Sequence, residues 1–300
     1  MAICTACESN DLIKLEQLYR SDEQILAERE LIFCENCHLT KISPMLDRNE
    51  LDLLNDNYWE RHQSSADHRS ITTFKAQMRS RIKWIEEISG SILDVGAGHG
   101  FFKQELDHAG MIVDYNAVEF DKNCWPQLKA LGANTTLQDL PNTNKNKHDL
   151  VFLSHVLEHI SDPKSYLTHL SDLMHSESRL YIEVPNQDHL YKKDFGTHLF
   201  FYTPESLGYL LANSGFTVSQ LTTSGAPLRS MISSEPVAAQ SLLYRIRGRL
   251  PNIVNSLITG SMNIFRQITL TPDKLISKHQ MNEFGDDRRW IRCIVKLAEH

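Results

Sequence analysis

The chain has 300 residues, of which 41% are hydrophobic and 23% charged, and its mean hydropathy is −0.35. This composition excludes a wholly disordered chain, and the length predicts one large domain with a small module, or two modest domains. The formal net charge is −7, so the chain lacks the basic footprint of a general nucleic-acid-binding protein. We therefore do not expect nucleic acid as a partner.

The N-terminal sequence MAICTACESND contains neither the basic segment nor the apolar segment of a secretory signal. The sequence also contains no run of 18 apolar residues, so it predicts no transmembrane helix. We expect a cytoplasmic protein whose six cysteines are reduced.

Four of the cysteines form two C-x-x-C pairs, Cys4 with Cys7 and Cys34 with Cys37, and 26 residues separate the pairs. A gap of two residues lets a tight turn present both sulfurs to one ion, and Zn²⁺ prefers four thiolates in a tetrahedron. The spacing predicts structural zinc in a ribbon-like module at residues 1–45. Two unrelated reduced pairs or a redox pair are the alternatives, but a redox C-x-x-C normally opens a helix after a strand.

Residues 46–89 are predicted to form a linker and N-terminal helices. Over residues 66–88, apolar side chains recur near the helical spacing, at Ile71, Phe74, Met78, Ile82 and Ile85. This spacing predicts one long helix directly before the next strand.

A short apolar run, a glycine-rich turn and a helical pattern follow one another in SILDVGAGHGFFKQELDHAG. They predict a strand at 91–95 that carries Asp94, then a loop, then a helix. Three glycines in five positions allow a ligand to approach the backbone closely. These glycines are Gly96, Gly98 and Gly100. The next strand, in MIVDYNAVEFD, ends at Glu119, which lies 25 residues after Asp94.

A strand, a glycine loop, a helix and a second strand ending in an acid form the layout that binds a ribose-bearing cofactor. Two cofactor classes compete for it. The dinucleotide pattern is G-x-G-x-x-G, but Phe101 occupies its sixth position here. The loop is instead G-x-G-x-G, preceded by Asp94, and an acid at this place suits an ammonium better than a phosphate.

The remaining pattern continues to alternate strands and helices. Further strands are predicted in NTTLQ, HDLVFLS, SRLYIEVPN, FTVSQLTT and RWIRCIVKLAEH. A helix is predicted in TPESLGYLLANSGF, with Thr203 as its N-cap and Pro204 in its first turn. The alternation predicts an α/β fold, a Rossmann-like seven-stranded, mostly parallel sheet with helices on both faces.

These segments together resemble the class I S-adenosylmethionine (SAM) methyltransferases, whose first motif is an acid followed by G-x-G-x-G. HDLVFLSHVLEHISDP is similar to the fourth-strand segment of methyltransferases of the ubiquinone-biosynthesis and sugar-methylating kind, and EVPN and HLFFYTPESLGYLLANSGF are similar to their later segments. The two C-x-x-C pairs followed by NDNYWE resemble the zinc-binding module of bacterial sugar C-methyltransferases. The resemblance implies that the chain transfers a methyl group from SAM to a small-molecule acceptor. A sugar, nucleotide-sugar or glycan intermediate is the first candidate for this acceptor.

The resemblance implies that residues 90–225 are the SAM-binding core and that Asp94 and the three glycines line the cofactor. Glu119 is expected to hold the ribose, and Asp139 to face the adenine amino group. The other residues expected at this cofactor site are Phe120 and Leu140, on either side of the adenine, and His155.

A hydroxyl or carbon acceptor must lose a proton, and histidine titrates nearest neutrality. In sugar C-methyltransferases a histidine after the fifth strand acts as the base, which implies His198 as a catalytic residue. In those enzymes an acid usually precedes the histidine, whereas Thr197 precedes it here. His159, after the fourth strand, is a second candidate. Tyr58 and His62 lie where those relatives contact the acceptor.

Residues 226–289 interrupt the pattern before a last strand at 290–300. Within them, residues 241–279 hold six Lys or Arg and one Asp, with apolar residues at helical spacing. We expect a helical insertion that caps the acceptor pocket. A basic amphipathic surface in contact with an anionic membrane is the alternative, as is a contact with the pyrophosphate of a nucleotide-sugar.

Other functions stay open at this point. They are an NAD-dependent oxidoreductase, a methyltransferase acting on RNA, protein, a quinone or a lipid, and a non-catalytic SAM-binding module. The sequence does not decide between O- and C-methylation, and it does not predict the oligomeric state.

Overall fold

A computed structural model describes residues 3–27, 29–55, 68–141, 147–232 and 288–298. The strands, in chain order, are β1 (Leu12–Leu18), β2 (Glu30–Cys34), β3 (Thr40–Ser43), β4 (Ser91–Val95), β5 (Asp114–Val118), β6 (Thr135–Leu137), β7 (His148–Ser154), β8 (Met174–Pro185), β9 (Phe200–Phe201), β10 (Phe216–Pro227) and β11 (Arg288–Leu297). The helices are α1 (Arg48–Asn55), α2 (His68–Ile85), α3 (Phe101–His108), α4 (Trp125–Ala130), α5 (Pro163–Ser171), α6 (Pro204–Ala212) and α7 (Leu228–Ile232).

The chain forms two compact units, each built from two stretches of sequence. One unit contains residues 1–45 and 184–293, and the other contains residues 46–183 and 294–300.

Seven strands form one sheet in the order β10-β11-β8-β7-β4-β5-β6. The pairs β7–β8, β4–β7, β4–β5 and β5–β6 are parallel, so the predicted α/β fold with a mostly parallel seven-stranded sheet is confirmed. The strand order changes direction at β4, because β5 lies on one side of it and β7 on the other. In open α/β sheets, ligands bind outside the carboxyl end of a strand at this kind of switch point.

Stacked aromatic rings connect α3 to the middle of the sheet. Phe102 on α3 stacks on Phe152 of β7 with ring centroids 3.9 Å apart, and Phe152 stacks on Tyr181 of β8 at 4.9 Å. All three rings are buried, and each pair contributes about 0.5–1.5 kcal/mol beyond the area it buries. This packing fixes the start of α3, and with it the loop between β4 and α3.

The helix predicted over residues 66–88 is present as α2, which ends at Ile85. Glu86 and Glu87 have φ angles of 53° and 36°, outside the range of a right-handed helix. Arg179 of β8 donates hydrogen bonds to the last carbonyl oxygens, those of Ile85, Glu86 and Glu87, at 2.9, 3.2 and 2.7 Å. A side chain from the sheet therefore caps the helix, which no local pattern predicts.

A second sheet has the order β1-β2-β3-β9, and its strands pair antiparallel. Its first three strands lie within the predicted cysteine module. Its fourth strand comes from Phe200–Phe201, which pairs with Thr40 and Lys41 of β3. The cysteine module therefore forms one sheet with the segment that follows His198.

Helix α6 begins as its sequence predicts. The Thr203 hydroxyl accepts a hydrogen bond from the Ser206 N–H, the Ser206 hydroxyl accepts one from the Thr203 N–H, and Pro204 occupies the first turn. Such a capping box satisfies two backbone donors that the helix itself leaves without partners.

Several sequence predictions fall on residues outside the described ranges. Tyr58, His62, the basic segment 241–279 and most of the insertion predicted at 226–289 belong to this group. Among the helices that are described, none combines the length and the apolar character needed to cross a lipid bilayer.

Candidate active site and cysteine cluster

The loop after β4 has a backbone that only glycine adopts readily. Gly96, Gly98 and Gly100 have φ angles of 71°, 53° and 70°, all in the left-handed region that side chains disfavour. A Cβ atom at Gly100 would lie 2.6 Å from the Leu131 side chain, and one at Gly96 would clash with Val156. The glycines therefore let the loop pack closely against Leu131 and Val156.

Two buried acids, Asp94 and Glu119, flank this loop. Asp94 lies in β4 and accepts a hydrogen bond from the Tyr115 hydroxyl. Glu119 follows β5, and its carboxylate accepts hydrogen bonds from the N–H groups of Gly98 at 2.6 Å and Asp121 at 2.9 Å. Burial raises the pKa of Asp94 to about 7; the Tyr115 hydrogen bond opposes this shift and the negative charge of Glu119 adds to it. Such a site favours a cation.

The residues expected around the adenine follow β5 and β6, which are neighbours in the sheet. Phe120 is half-buried and Leu140 is buried, whereas Asp139 is exposed. Burial raises the pKa of Tyr166 of α5, and the negative charge of Asp139 raises it further, to a smaller extent.

His155 follows β7 and has a φ of 56°, which is uncommon for a residue other than glycine. Its Nδ1 lies 3.2 Å from the Glu158 carboxylate, and its Nε2 lies 3.2 Å from the Glu183 carboxylate. Burial disfavours the imidazolium, but these two carboxylates outweigh that effect and raise the pKa of His155. His159, the second candidate base, lies 4.0 Å from Glu158.

A buried ion pair that the sequence analysis missed supports His155. The Arg81 guanidinium contacts Glu183, with Nε 3.0 Å from the carboxylate, and the Tyr181 hydroxyl donates to the other oxygen at 3.0 Å. Both charged groups are almost completely buried. The sequence contains one signal for this pair, because Glu183 is a charged residue within the otherwise apolar strand LYIEVP.

His198 lies just before β9 and contacts an acid that the sequence analysis also missed. Asp188 Oδ2 lies 2.9 Å from His198 Nδ1 and 2.8 Å from Lys192 Nζ. Burial would raise the pKa of Asp188, but the two basic neighbours hold it well below its usual range. The Tyr19 hydroxyl donates to the backbone oxygens of His198 at 2.7 Å and Gly196 at 3.1 Å.

The four cysteines of the C-x-x-C pairs converge on one point. Their sulfur atoms all lie within 4.8 Å of one another, so together they could hold a metal ion. The Cys4 and Cys37 sulfurs are 3.5 Å apart, and the Cys7 and Cys34 sulfurs are 3.6 Å apart. A hydrogen bond with Cys37 outweighs burial and lowers the pKa of Cys4 to about 5.

The two cysteine turns have the same backbone geometry. In each, the residue after the second cysteine has a positive φ, 61° at Glu8 and 64° at His38. The N–H of that residue donates to the carbonyl of the first cysteine, at 3.0 Å for Cys4 and 2.9 Å for Cys34. Two equivalent turns thus face each other across the sulfur cluster.

Comparison with known protein families identifies the family of this chain. A family described as a methyltransferase domain matches residues 55–221, which is more than half of the chain. The chain belongs to this methyltransferase family. Among curated proteins, none matches the sequence.

Solved structures show the same fold. The 1,6-didemethyltoxoflavin-N1-methyltransferase of Burkholderia thailandensis is 13% identical, with a TM-score of 0.52 over 93% of this chain and 97% of its own. A SAM-dependent methyltransferase from Archaeoglobus fulgidus is 18% identical, with a TM-score of 0.49 over 75% of this chain and 94% of its own. At these sequence identities, the similarity concerns the fold alone. The conclusion about the fold depends on the Burkholderia structure, which has the higher TM-score of the two.

Proposed function

We propose that this methyltransferase uses SAM and methylates a small-molecule acceptor. The observation that carries the proposal is the pair of buried acids, Asp94 and Glu119, beside the glycine loop after β4. SAM brings an ammonium and a sulfonium, which such acids attract, whereas a dinucleotide brings a pyrophosphate, which they repel. The Burkholderia structure contains S-adenosylhomocysteine, which supports the same cofactor class here.

Residues beside the glycine loop would contact different parts of SAM. Asp94 would receive the ammonium, and Glu119 would accept hydrogen bonds from the ribose hydroxyls in a charge-assisted fork. The adenine would lie between Phe120 and Leu140, with Asp139 at its amino group. SAM supplies a methyl group on a sulfonium, and the transfer depends on in-line geometry and a dry pocket more than on acid–base groups. His198 takes the proton of the acceptor before the methyl group is transferred, with His159 as the alternative base.

We propose a saccharide or nucleotide-sugar as the acceptor, methylated on oxygen or carbon. The proposal rests on the likeness of HDLVFLSHVLEHISDP, EVPN and the C-x-x-C module to sugar methyltransferases. A quinone, lipid, RNA or protein acceptor is the second possibility, and the net charge of −7 counts against RNA. The insertion at 226–289 is proposed to cap the acceptor, and contact of its basic segment 241–279 with an anionic membrane surface is the alternative.

We also propose that the cysteine cluster holds a structural Zn²⁺. Tetrahedral Zn–S bonds of about 2.3 Å place two sulfurs about 3.8 Å apart, close to the 3.5 and 3.6 Å separations in this cluster. Four thiolates complete the coordination shell, so the ion would stabilise the fold without taking part in catalysis.

Labelled methyl transfer tests the proposed activity. The full-length protein is incubated with methyl-labelled SAM and a panel of nucleotide-sugars, and the labelled product and S-adenosylhomocysteine are both quantified. We expect one class of sugar to be labelled, loss of labelling in E119A, and normal labelling in E177A, which removes an exposed glutamate. An active preparation that labels lipid or RNA extracts but no sugar would move the acceptor to the second possibility.

A further inference from the structure

The short helix α4 donates two side-chain hydrogen bonds to backbone carbonyl groups of the proposed cofactor site. Its first residue, Trp125, donates from Nε1 to the carbonyl of Glu119 at 2.9 Å. Gln127 donates from Nε2 to the carbonyl of His99, which lies within the glycine loop, at 2.8 Å. The helix therefore contacts both the loop and the acid that is proposed to hold the ribose.

These contacts complete a closed ring of hydrogen bonds. The Glu119 carboxylate accepts the N–H of Gly98 at 2.6 Å, the next residue is His99, and Gln127 connects His99 to α4. Trp125 then connects α4 back to the backbone of Glu119. All of these residues lie within one compact unit, that of residues 46–183 and 294–300. Loss of one of the three hydrogen bonds should therefore loosen the other two.

Two further contacts hold the same loop. Gln104, in α3, donates from Nε2 to the His99 carbonyl at 3.2 Å, so this oxygen has donors from two helices. A Cβ atom at Gly100 would lie 3.1 Å from the buried side chain of Leu128 in α4. The loop thus packs against α4 in addition to accepting its hydrogen bond.

Such restraint matters for a glycine loop that binds a ligand. Glycine has more backbone freedom than any other residue, so a loop with three glycines loses much conformational entropy on binding. Contacts that already hold the loop in its binding conformation reduce this cost, and the observed affinity rises with the fraction of molecules in that conformation. Gln127 is exposed, so the exchange of its hydrogen bond with water changes the stability of the fold little.

We propose that Gln127 and Trp125 are positioning residues, which hold the glycine loop and Glu119 in the binding conformation before the cofactor arrives. This role rests on the proposed function, in which the loop and Glu119 bind SAM. Neither side chain has to contact the cofactor, because both act through backbone carbonyl groups. Their loss should therefore weaken SAM binding while the fold persists.

Calorimetric titration of the full-length protein with SAM tests the role of Gln127. Q127M removes the donor and keeps the length of the side chain, and it should bind SAM about two- to tenfold more weakly, the range expected for one hydrogen bond. Q127K supplies another donor of sufficient reach and should bind as the wild type does. K147M is the matched control, because Lys147 is also exposed and donates to a backbone carbonyl, that of Asp172, at 2.7 Å. It should bind SAM as the wild type does, and the melting temperatures of all three variants should stay close to that of the wild type.

NMR without any cofactor tests the ring of hydrogen bonds itself. The dipeptide Ala-Gly occurs twice in the chain, ending at Gly98 and at Gly110. Carbon-13 in the alanine carbonyls and nitrogen-15 in glycine therefore select these two amides. The Gly98 proton should resonate downfield in the wild type, because a short hydrogen bond to the Glu119 carboxylate deshields it. It should move upfield in Q127M and W125F, while Gly110 stays in place.

Three results would overturn the inference. They are equal SAM affinities of Q127M and K147M, equal weakening in Q127M and Q127K, and a Gly98 signal that is unchanged in Q127M. If W125F does not fold, Q127M decides, because Gln127 is exposed. A wild type that binds no SAM contradicts the proposed function, while the Gly98 signal still decides whether α4 positions the loop.

Discussion

At the residue scale, the proposed cofactor site contains two buried acids, Asp94 and Glu119. Glu119 has two backbone donors, which stabilise its charge. Asp94 accepts a hydrogen bond from the Tyr115 hydroxyl, but burial and the repulsion of Glu119 raise its pKa. The negative charge of Asp94 is therefore the less stable of the two. A ligand ammonium would supply the missing positive charge.

This difference predicts that SAM binds more tightly as the pH rises. The pKa of Asp94 is raised to about 7, with burial as the largest cause, whereas the bound ammonium requires the ionised acid. Between pH 8 and pH 6 the affinity should fall by about tenfold, because protonated Asp94 must first release its proton. Calorimetry in buffers of different ionisation enthalpy measures both the affinity and the released proton. The dependence should flatten in D94N, and a pH-independent affinity in the wild type would contradict this role.

The buried Arg81–Glu183 pair gives a second residue-scale prediction. R81M leaves the Glu183 carboxylate buried without its guanidinium, and breaking such a pair costs about 3–5 kcal/mol of unfolding free energy. R48M removes an exposed ion pair with Asp52 on α1, which is worth about 1 kcal/mol or less. Denaturant unfolding of both variants measures the difference, and equal losses would show that the buried pair contributes no more than a surface pair.

At the element scale, the sequence predicts the bounds of those helices and strands that local patterns determine. An apolar run and three glycines determine the bounds of the segment from β4 to α3. Thr203 and Pro204 determine the start of α6. Side chains that meet over long separations leave no local signal. Arg81 and Glu183 are 102 residues apart, and β9 joins the cysteine sheet from Phe200–Phe201.

The cysteine turns contact α6 directly, which leads to a prediction for metal removal. The Thr203 hydroxyl, at the start of α6, donates to the Cys37 carbonyl at 3.1 Å, and Asn213, at its end, donates to the Ala6 carbonyl at 2.8 Å. Loss of the proposed Zn²⁺ should therefore expose the α6 and β9 amides as well as the two turns.

C37S is the test variant, and C124S, which replaces a buried cysteine outside the cluster, is its matched control. C37S should lower the metal content from about one ion per chain and the melting temperature with it, because metal binding contributes folding free energy. Hydrogen exchange should rise over residues 200–213 in C37S and stay normal in C124S. A wild type with less than about half an ion per chain would contradict the site.

At the scale of the whole molecule, the chain forms two compact units, each built from two separate stretches of sequence. The proposed SAM residues Asp94 and Glu119 belong to the unit of residues 46–183 and 294–300, and the cysteines and His198 belong to the other. The sequence indicates this division only in part. The C-x-x-C spacing predicts the ribbon, but the contribution of residues 184–232 to the same unit arises from tertiary contacts.

The identity of the ligand at the glycine loop decides the proposed function. Calorimetric titration of the full-length protein with SAM, and separately with NADH, tests it most directly. We expect one SAM per chain and no binding of NADH. In E119A the loss of charge-assisted hydrogen bonds to the ribose, about 1.5–3 kcal/mol each, should weaken SAM at least about tenfold. Binding of NADH without binding of SAM would contradict the account.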